Sequence, residues 1–281
     1  MAHALSASQL RRSTCFRRLT GVSVATFDQM VAQLRTPWEA AERRKTKSGR
    51  PWEVGGLENH LLVMLLYYRC YVTQEFIGFF WKVDRSVICR TIKRIEAHAL
   101  PLFGVRRDPK ITRLEAAAPI VDCTEQPIER PGVDAVQRAH YSGKKKRHTL
   151  KTEYIITGKG RIASVSESHP GSCHDLTIRR EGPKLPKCAR LYADSAYQGY
   201  DREHASLEIP YKKPKGGDLD DEERDYNRGL GSFRVAIEHC IGRTKRFRIV
   251  AERFRNPRNT HYTKTSIIAG LVNIEAAFMQ S

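Results

Sequence analysis

Two short apolar runs that each lead into an aspartate constrain the fold of this chain more than any other feature. The run 116–121 leads into Asp122, and a second, largely apolar run, 189–193, leads into Asp194. Short apolar runs of this kind predict buried strands, because strands covered on both faces are hydrophobic throughout rather than alternating. We therefore expect two buried strands that each deliver a carboxylate at their C-terminal end.

The chain before about residue 105 has a different pattern, which predicts helices. The run 57–68 is apolar enough to be a core helix. After it, apolar residues keep helical spacing on both sides of a short turn, and Asp84 is placed to cap the second helix. The residues that set this spacing are Phe76, Ile77 and Phe80 before the turn and Ile88, Ile92 and Ile95 after it. This pattern predicts a helix-turn-helix at about 57–98.

The second helix of this pair is basic on its predicted outer side. A basic face suits DNA recognition, although an ordinary helical hairpin with a solvated basic face has the same pattern. The 281 residues include 49 Lys and Arg against 31 Asp and Glu, a formal net charge of +18, and this excess favours a polyanionic partner. The outward residues are expected to be Arg85, Ser86, Arg90, Lys93 and Arg94.

A connector at 102–114, which carries Pro, Arg and Lys, marks a change to alternating strands and helices. The segments 146–157 and 162–168 predict a β-hairpin, and a short helix around Leu176 follows. We therefore predict an α/β (α+β) chain with two domains. A helical region at 1–105 precedes a mixed-sheet domain at 115–281.

A third acid, Glu238, lies in a predicted helix between two cations. At about 100° per residue, Arg234 and Lys245 lie about 40° and 20° around the helix axis from Glu238, so the three share one stripe. The stripe suits a metal-binding carboxylate between DNA phosphate contacts, or a surface ladder of ion pairs. With Asp122 and Asp194, Glu238 would complete an oxygen ligand set for two ions, Mg²⁺ or Mn²⁺, at a phosphodiester-cutting site.

Several segments together resemble the DDE-type transposases of bacterial insertion sequences, specifically insertion-sequence family five, which is related to the Harbinger transposases. The resemblance covers roughly residues 55 to 275, and its motifs occur in the family's order. They are Val121-Asp122-Cys-Thr-Glu-Gln-Pro-Ile, Tyr141–Thr149, His174-Asp175-Leu, Ala193-Asp194-Ser-Ala-Tyr-Gln-Gly199, Lys213-Pro, and the spacing of Arg234, Glu238 and Lys245.

The resemblance implies an RNase H-like catalytic domain in which Asp122, Asp194 and Glu238 bind the metal ions. It also implies that the helix-turn-helix binds the terminal inverted repeats of an insertion sequence, and that the chain cleaves double-stranded DNA and joins it to a target. Because both element ends are processed together, a homodimer or higher oligomer on DNA is expected. A catalytically silent DNA-binding relative and a nuclease that cuts without transposing are the alternatives.

The sequence departs from the family pattern at one position. In some relatives a tyrosine stands three residues before the arginine of the helical signature, whereas this chain has Gly231 there. The role of that tyrosine around the cleaved DNA end therefore does not transfer. Only 44 residues separate Asp194 from Glu238, which leaves no room for the large insertion domain of some relatives.

Other charged residues are candidates for supporting roles. Asp175 competes with Asp194 as second metal ligand, but its loop context favours Asp175 as a helix cap and His174 as support behind the ligands. Lys213 is expected to line the DNA channel. The run Lys144, Lys145, Lys146 and Arg147 is a solvated charge run, a localisation-like patch or a phosphate-binding edge. We expect phosphate contact beside Asp122, because the run precedes a strand that neighbours the Asp122 strand.

Two negative features predict the compartment. The seven cysteines are scattered and form no Cys-x-x-Cys pair, which suits reduced thiols rather than disulfides or a zinc knuckle. No apolar stretch approaches the roughly 18 residues that span a bilayer. We therefore expect a cytoplasmic protein, associated with the bacterial nucleoid, that has no membrane partner.

Overall fold

A computed structural model describes residues 5–44, 51–108, 115, 118–186 and 189–278. The described chain divides into two compact units. The first contains the described residues up to Gly104, the segment Lys245–Ala251 and the described residues from Ser266 onward; the second contains Val105–Thr244 and Glu252–Thr265. The functional domain bounds 1–105 and 115–281 stay a prediction.

The first unit is helical, with α4 (Leu57–Cys70) at its centre. This helix is apolar on all sides and is buried over most of its length. It packs against α2, α3 and α6, which confirms the predicted core helix at 57–68. The other helices with residues in this unit are α1 Ala7–Arg11, α2 Phe16–Thr20, α3 Val24–Arg43, α5 Gln74–Trp81, α6 Arg85–Phe103, α10 Arg248–Ala251 and α11 His261–Phe278.

Helices α5 and α6 form the predicted helix-turn-helix. Asp84 caps α6 by accepting a hydrogen bond from the Ser86 amide at 2.7 Å, as predicted. Gly78 permits the tight turn, because a Cβ there would lie 2.5 Å from the Val83 carbonyl oxygen. The predicted apolar face of α5 is partly wrong: Ile77 is buried with Trp81, whereas Phe76 and Phe80 are exposed. The spacing of residues 76, 77 and 80 does not by itself predict which side of α5 packs against α6.

The second unit is built on a curled mixed sheet in the order β2-β3-β1-β6-β7, with β4 and β5 also pairing with β3. The predicted hairpin is confirmed, since β3 and β4 pair antiparallel. This sheet, which follows the helical N-terminal region in the chain, gives the RNase H-like fold class that was predicted. The strands are β1 Ile120–Pro127, β2 Tyr141–Ser142, β3 Arg147–Ile156, β4 Ile162–Val165, β5 His169–Pro170, β6 Leu191–Tyr192 and β7 Leu207–Glu208.

The first strand is shifted from its predicted position. The sequence predicted a strand over 116–123 that ends near Asp122; residues 116–117 lie outside the described part of the chain. Strand β1 continues to Pro127, because β3 pairs with it along its whole length. Asp122 is therefore near the start of the strand. It lies where the parallel neighbour β6 leaves the sheet, just beyond the pair Ile120 and Tyr192.

The two faces of the sheet around Asp122 differ. Val121 belongs to a buried cluster with Leu191, Ala193 and Tyr197 on one face. Side chains alternate along a strand, so Asp122 lies on the opposite face. The remaining helices with residues in this unit are α7 Asp134–His140, α8 Asp175–Glu181 and α9 Asp221–Lys245, together with 3-10 turns at Ser195–Tyr197, Tyr200–Arg202 and Arg258–Thr260.

Helix α9 lies on the Asp122 face. Tyr154 of β3 is paired with Asp122 of β1, and the Tyr154 hydroxyl interacts with Thr244 of α9. In the described residues, no helix is long and apolar enough to cross a membrane.

Candidate functional site

Asp122 and Asp194 lie side by side at the point where β1 and β6 separate. The parallel register pairs Ile120 with Tyr192, and each aspartate follows two residues later. Adjacent strands are about 4.8 Å apart, so this register brings the two carboxylates together on one face. Each carboxylate also accepts a backbone hydrogen bond at 2.8 Å, Asp122 from the Cys123 amide and Asp194 from the Ala196 amide.

The pKa of the Asp122 carboxyl reflects its proximity to Asp194. Burial, and then repulsion from Asp194, raise the pKa of the Asp122 carboxyl from 3.8 to about 6. The Cys123 amide and the positive charge of Arg234 oppose this rise, and Asp175 adds to the repulsion. Two acids and one cation therefore lie within electrostatic reach of Asp122. The Nε atom of Arg234 is buried and has no hydrogen-bond partner within the described structure.

Glu238 lies on α9, one helical turn beyond Arg234, and its side chain is exposed. In the described part of the chain, no three His, Cys, Asp or Glu side chains form a group that would hold a metal ion. The structure therefore brings Asp122 and Asp194 together, and within the described residues it does not group Glu238 with them. Lys245, at the end of the same helix, is also exposed.

The roles expected of His174 and Asp175 are exchanged. His174 is the N-cap of α8, where its Nδ1 atom accepts a hydrogen bond from the Leu176 amide at 3.3 Å. Asp175 is the first residue of the helix and does not cap it, so that prediction is wrong. Its carboxylate instead accepts from Lys151 Nζ at 2.8 Å, and both side chains are largely buried. Lys151 thus neutralises much of the charge of Asp175.

A buried network, which the sequence analysis missed, lies on the other face of the sheet beneath the two aspartates. Arg179 of α8 donates to Glu153 of β3 at 2.7 Å, and the two side chains are 0% and 2% exposed. The Tyr197 hydroxyl lies 3.4 Å from both Glu153 Oε1 and Cys123 Sγ. The available signal was Glu153 itself, a charged residue inside an otherwise buried strand.

The basic face of α6 is narrower than predicted. Arg85, Arg90 and Lys93 are exposed, as expected for a DNA-facing surface. Arg94 is half-buried: its guanidinium lies 3.5 Å from the centre of the Trp52 ring and contacts His60 Nε2 at 3.2 Å. The prediction that Arg94 points outward is therefore wrong, because stacking on Trp52 holds it against the protein.

The Lys144–Arg147 run lies far from Asp122, contrary to the predicted position. Strand β3 runs antiparallel to β1, so Tyr154 is opposite Asp122 while Arg147 lies at the other end. Seven strand residues separate these levels, a span of about 24 Å. Phosphate binding by this run remains a prediction, but the run does not lie beside Asp122 as expected. Lys213 is exposed and pairs with Asp218 at 2.6 Å.

The mixed sheet with paired carboxylates, preceded by a helix-turn-helix, defines an RNase H-like enzyme class joined to DNA-binding helices. Residues 121–273 match the family described as DDE superfamily endonuclease, and residues 53–97 match the helix-turn-helix of the same superfamily. The chain therefore belongs to the DDE superfamily endonucleases.

Two curated relatives agree with this assignment. The chain is 34% identical to a Microchaete diplosiphon protein named "Probable transposase for insertion sequence element IS702", over 93% of this chain and 94% of the relative. It is 25% identical to a Streptomyces albus G protein named provisionally as a transposase for IS112, over 83% and 84% of the two chains. No solved structure matches the chain. The predicted resemblance to DDE insertion-sequence transposases is confirmed.

Proposed function

We propose that this chain binds the terminal inverted repeats of an insertion sequence, cleaves the DNA there and joins the freed 3′ end to target DNA. The observation that supports this most directly is the pair Asp122 and Asp194, brought together by the parallel register of β1 and β6. DNA contact by the helix-turn-helix is supported by the exposed cations Arg85, Arg90 and Lys93 on α6.

The donor set of the site fits divalent ions that prefer oxygen. Asp122 and Asp194 present adjacent carboxylates whose mutual repulsion a cation would relieve. We propose that these two residues and Glu238 hold two ions, Mg²⁺ or Mn²⁺, although Glu238 is not grouped with the pair. When bound, two such ions activate the attacking oxygen and stabilise the leaving oxygen of an in-line displacement.

Glu238 is a better candidate than Asp175 for the third carboxylate. Asp175 is ion-paired with Lys151 and largely buried, so its charge is already satisfied. Glu238 is exposed on the helix that covers the Asp122 face, and Arg234 one turn earlier already acts on Asp122. In this proposal Arg234 and Lys245 orient DNA phosphates on either side of Glu238.

The test is cleavage of a duplex that carries the end of the source element, with Mg²⁺ or with EDTA. We expect Mg²⁺-dependent cuts at the element boundary by the wild type and none by Glu238→Ala. Glu222→Ala is the matched control, since Glu222 is another exposed acid of α9, and it should cut normally. Asp175→Asn should retain cutting if Glu238 rather than Asp175 is the third ligand.

The outcomes separate the alternatives. Cleavage by Glu238→Ala at the wild-type rate would show that the third ligand is wrongly assigned. Binding without cutting in every variant would indicate a silent DNA-binding protein. Cuts without joined products in a strand-transfer assay would indicate a nuclease. Migration of the protein–DNA complex as a single protomer on a single element end would contradict the proposed dimer or higher oligomer.

A further inference from the structure

An exposed aromatic pair adjoins the two aspartates. The ring of Phe233, on α9, stacks on the ring of Tyr192, at the end of β6, with 5.0 Å between centroids and 6° between planes. Phe233 is 52% exposed, so the packing with Tyr192 leaves much of its ring open to solvent. We call Tyr192 and Phe233 the aromatic platform.

The helix surface around Phe233 is open. A Cβ atom added at Gly229 or at Gly231 would meet no other atom within 4 Å. Glycine weakens a helix relative to alanine, and packing does not require it at either position. Glycine is favoured where a ligand approaches the backbone closely. Of the two, Gly229 lies one helical turn before Phe233 on the same side of α9, so it leaves open space beside the ring.

The platform is placed beside the proposed chemistry. Tyr192 precedes Asp194 by two residues in an extended segment, so the two side chains lie on the same side. Phe233 directly precedes Arg234, whose charge acts on Asp122. A group stacked on the platform would therefore lie on the face of the sheet that carries both carboxylates.

Aromatic residues continue along the surface away from the aspartates. Tyr226 lies two helical turns before Phe233 on the same side of α9, and Tyr211 packs against it with 5.1 Å between ring centroids. Tyr211 is itself 52% exposed. Two hydrogen bonds with Asn227, at 2.8 and 3.1 Å, hold its backbone to the helix.

Cations flank the platform. Arg190 precedes Tyr192 by two residues and its side chain is 66% exposed. Arg234 follows Phe233, and its buried Nε atom lacks a hydrogen-bond partner within the described structure. Exposed rings interleaved with arginines are typical of surfaces that bind single-stranded nucleic acid, where bases stack on the rings and cations meet the phosphates. A protein partner would be expected to meet a broader apolar surface with fewer charges.

We infer that the aromatic platform binds an unpaired DNA nucleotide next to the bond that is cut, by stacking its base on Phe233. The inference rests on the proposed function, because a duplex opened at the element end supplies the unpaired nucleotide. Every base has a π-face, so the contact requires no particular base sequence.

The experiment measures binding without cleavage. Fluorescence anisotropy in EDTA follows a labelled single-stranded oligothymidylate and, separately, a blunt duplex carrying the element end. We expect Phe233→Ala to weaken single-strand binding about tenfold and to leave duplex binding unchanged. Phe233→Tyr should retain binding because it keeps a ring. Phe233→Leu should behave like Phe233→Ala because an apolar side chain without a ring does not stack.

Val235→Ala is the matched control, since Val235 is a neighbouring apolar residue of α9 that is 41% exposed, and it should bind both DNAs normally. Unchanged single-strand affinity of Phe233→Ala would overturn the inference. So would wild-type affinity of Phe233→Leu, which would indicate general apolar contact. Because no cutting is needed, reduced binding by Phe233→Ala in a chain that never cleaves would support the platform and contradict only the proposed function.

Discussion

Each face of the sheet around β1 has an acid and an arginine near it, but the two are arranged differently on the two faces. On the face that packs against α8, Glu153 and Arg179 are almost completely buried and pair with each other at 2.7 Å. On the face that carries α9, Asp122 is only partly buried, it has a second carboxylate beside it, and Arg234 reaches it only electrostatically. The carboxylate of Glu153 is satisfied by an ion pair with a cation of the protein, and the carboxylate of Asp122 is not. The difference teaches that pairing and solvent access, rather than residue type, separate a structural acid from a candidate metal ligand.

The largest expected effect lies on the unsatisfied face. Asp194→Asn keeps the shape of the side chain but removes a carboxylate that no cation neutralises within the described structure. We expect DNA cleavage to fall at least about a thousandfold and duplex binding to remain. A cleavage time course with Mg²⁺ measures this. Asp201→Asn, at an exposed acid of the same loop, should cut normally, and equal activity of the two variants would undo the distinction between the faces.

On the satisfied face, the effect should be on folding. Arg179→Ala leaves the Glu153 carboxylate buried without its cation, and we expect the free energy of unfolding to fall by about 3–5 kcal/mol. Urea unfolding followed by circular dichroism measures it. Arg180 is the matched neighbour, because its ion pair with Glu203 is exposed. Arg180→Ala should lose at most about 1 kcal/mol, and similar losses in both variants would contradict the proposed difference.

The Asp122 face itself changes from open to closed along β1. At Gln126, buried His261 fills the face: Nε2 donates to Gln126 Oε1 at 2.7 Å, and Nδ1 accepts from the Ser168 hydroxyl at 2.6 Å. The bond from Ser168 requires the neutral ring, because a protonated Nδ1 cannot accept. Burial, reinforced by the charge of Lys264, lowers the pKa of His261 from 6.5 to about 3.

The pH dependence follows from this depressed pKa. Below pH 6.5 the unfolded chain binds a proton at His261 that the folded chain does not. The free energy of unfolding therefore falls as the pH drops from 6.5 toward 3, and above pH 6.5 His261 does not change it. Between pH 6 and 4, we expect the wild type to lose about 1.4 kcal/mol per pH unit more than His261→Gln. Urea unfolding at several pH values checks this; parallel profiles would show that His261 does not titrate on unfolding.

The smallest expected effect concerns Tyr197, which lies on the same face as Glu153. Tyr197 follows Asp194 by three residues, and its hydroxyl reaches Cys123, next to Asp122, and Glu153. Tyr197→Phe keeps the ring in the core and removes only these contacts, so we expect a loss of about 1 kcal/mol in unfolding free energy. Tyr200→Phe is the control, in the same buried cluster. If Tyr197→Phe lowered the free energy of unfolding as much as Arg179→Ala, the buried network would depend on Tyr197 as much as on Arg179.

Local patterns predicted most of the elements because helix and strand periodicity is written in neighbouring residues. The Asp84 cap, the core helix α4 and the β3–β4 hairpin follow from spacing and capping chemistry within a few residues. Several of the predictions that were wrong concern which surface a residue meets. Arg94 stacks on Trp52, and Phe76 turns to solvent. Such choices depend on residues distant in sequence.

By itself, the sequence determined the class of this protein: a helix-turn-helix, a mixed sheet, a strongly basic chain and the motifs of a DDE transposase. Residue chemistry and local periodicity suffice for these. Only the tertiary structure decided that Asp122 lies beside Asp194, that Lys151 neutralises Asp175, and that the Lys144–Arg147 run is at the far end of the sheet. The physical reason is strand register, which is set by contacts between segments far apart in the chain and which fixes the distance between their charges.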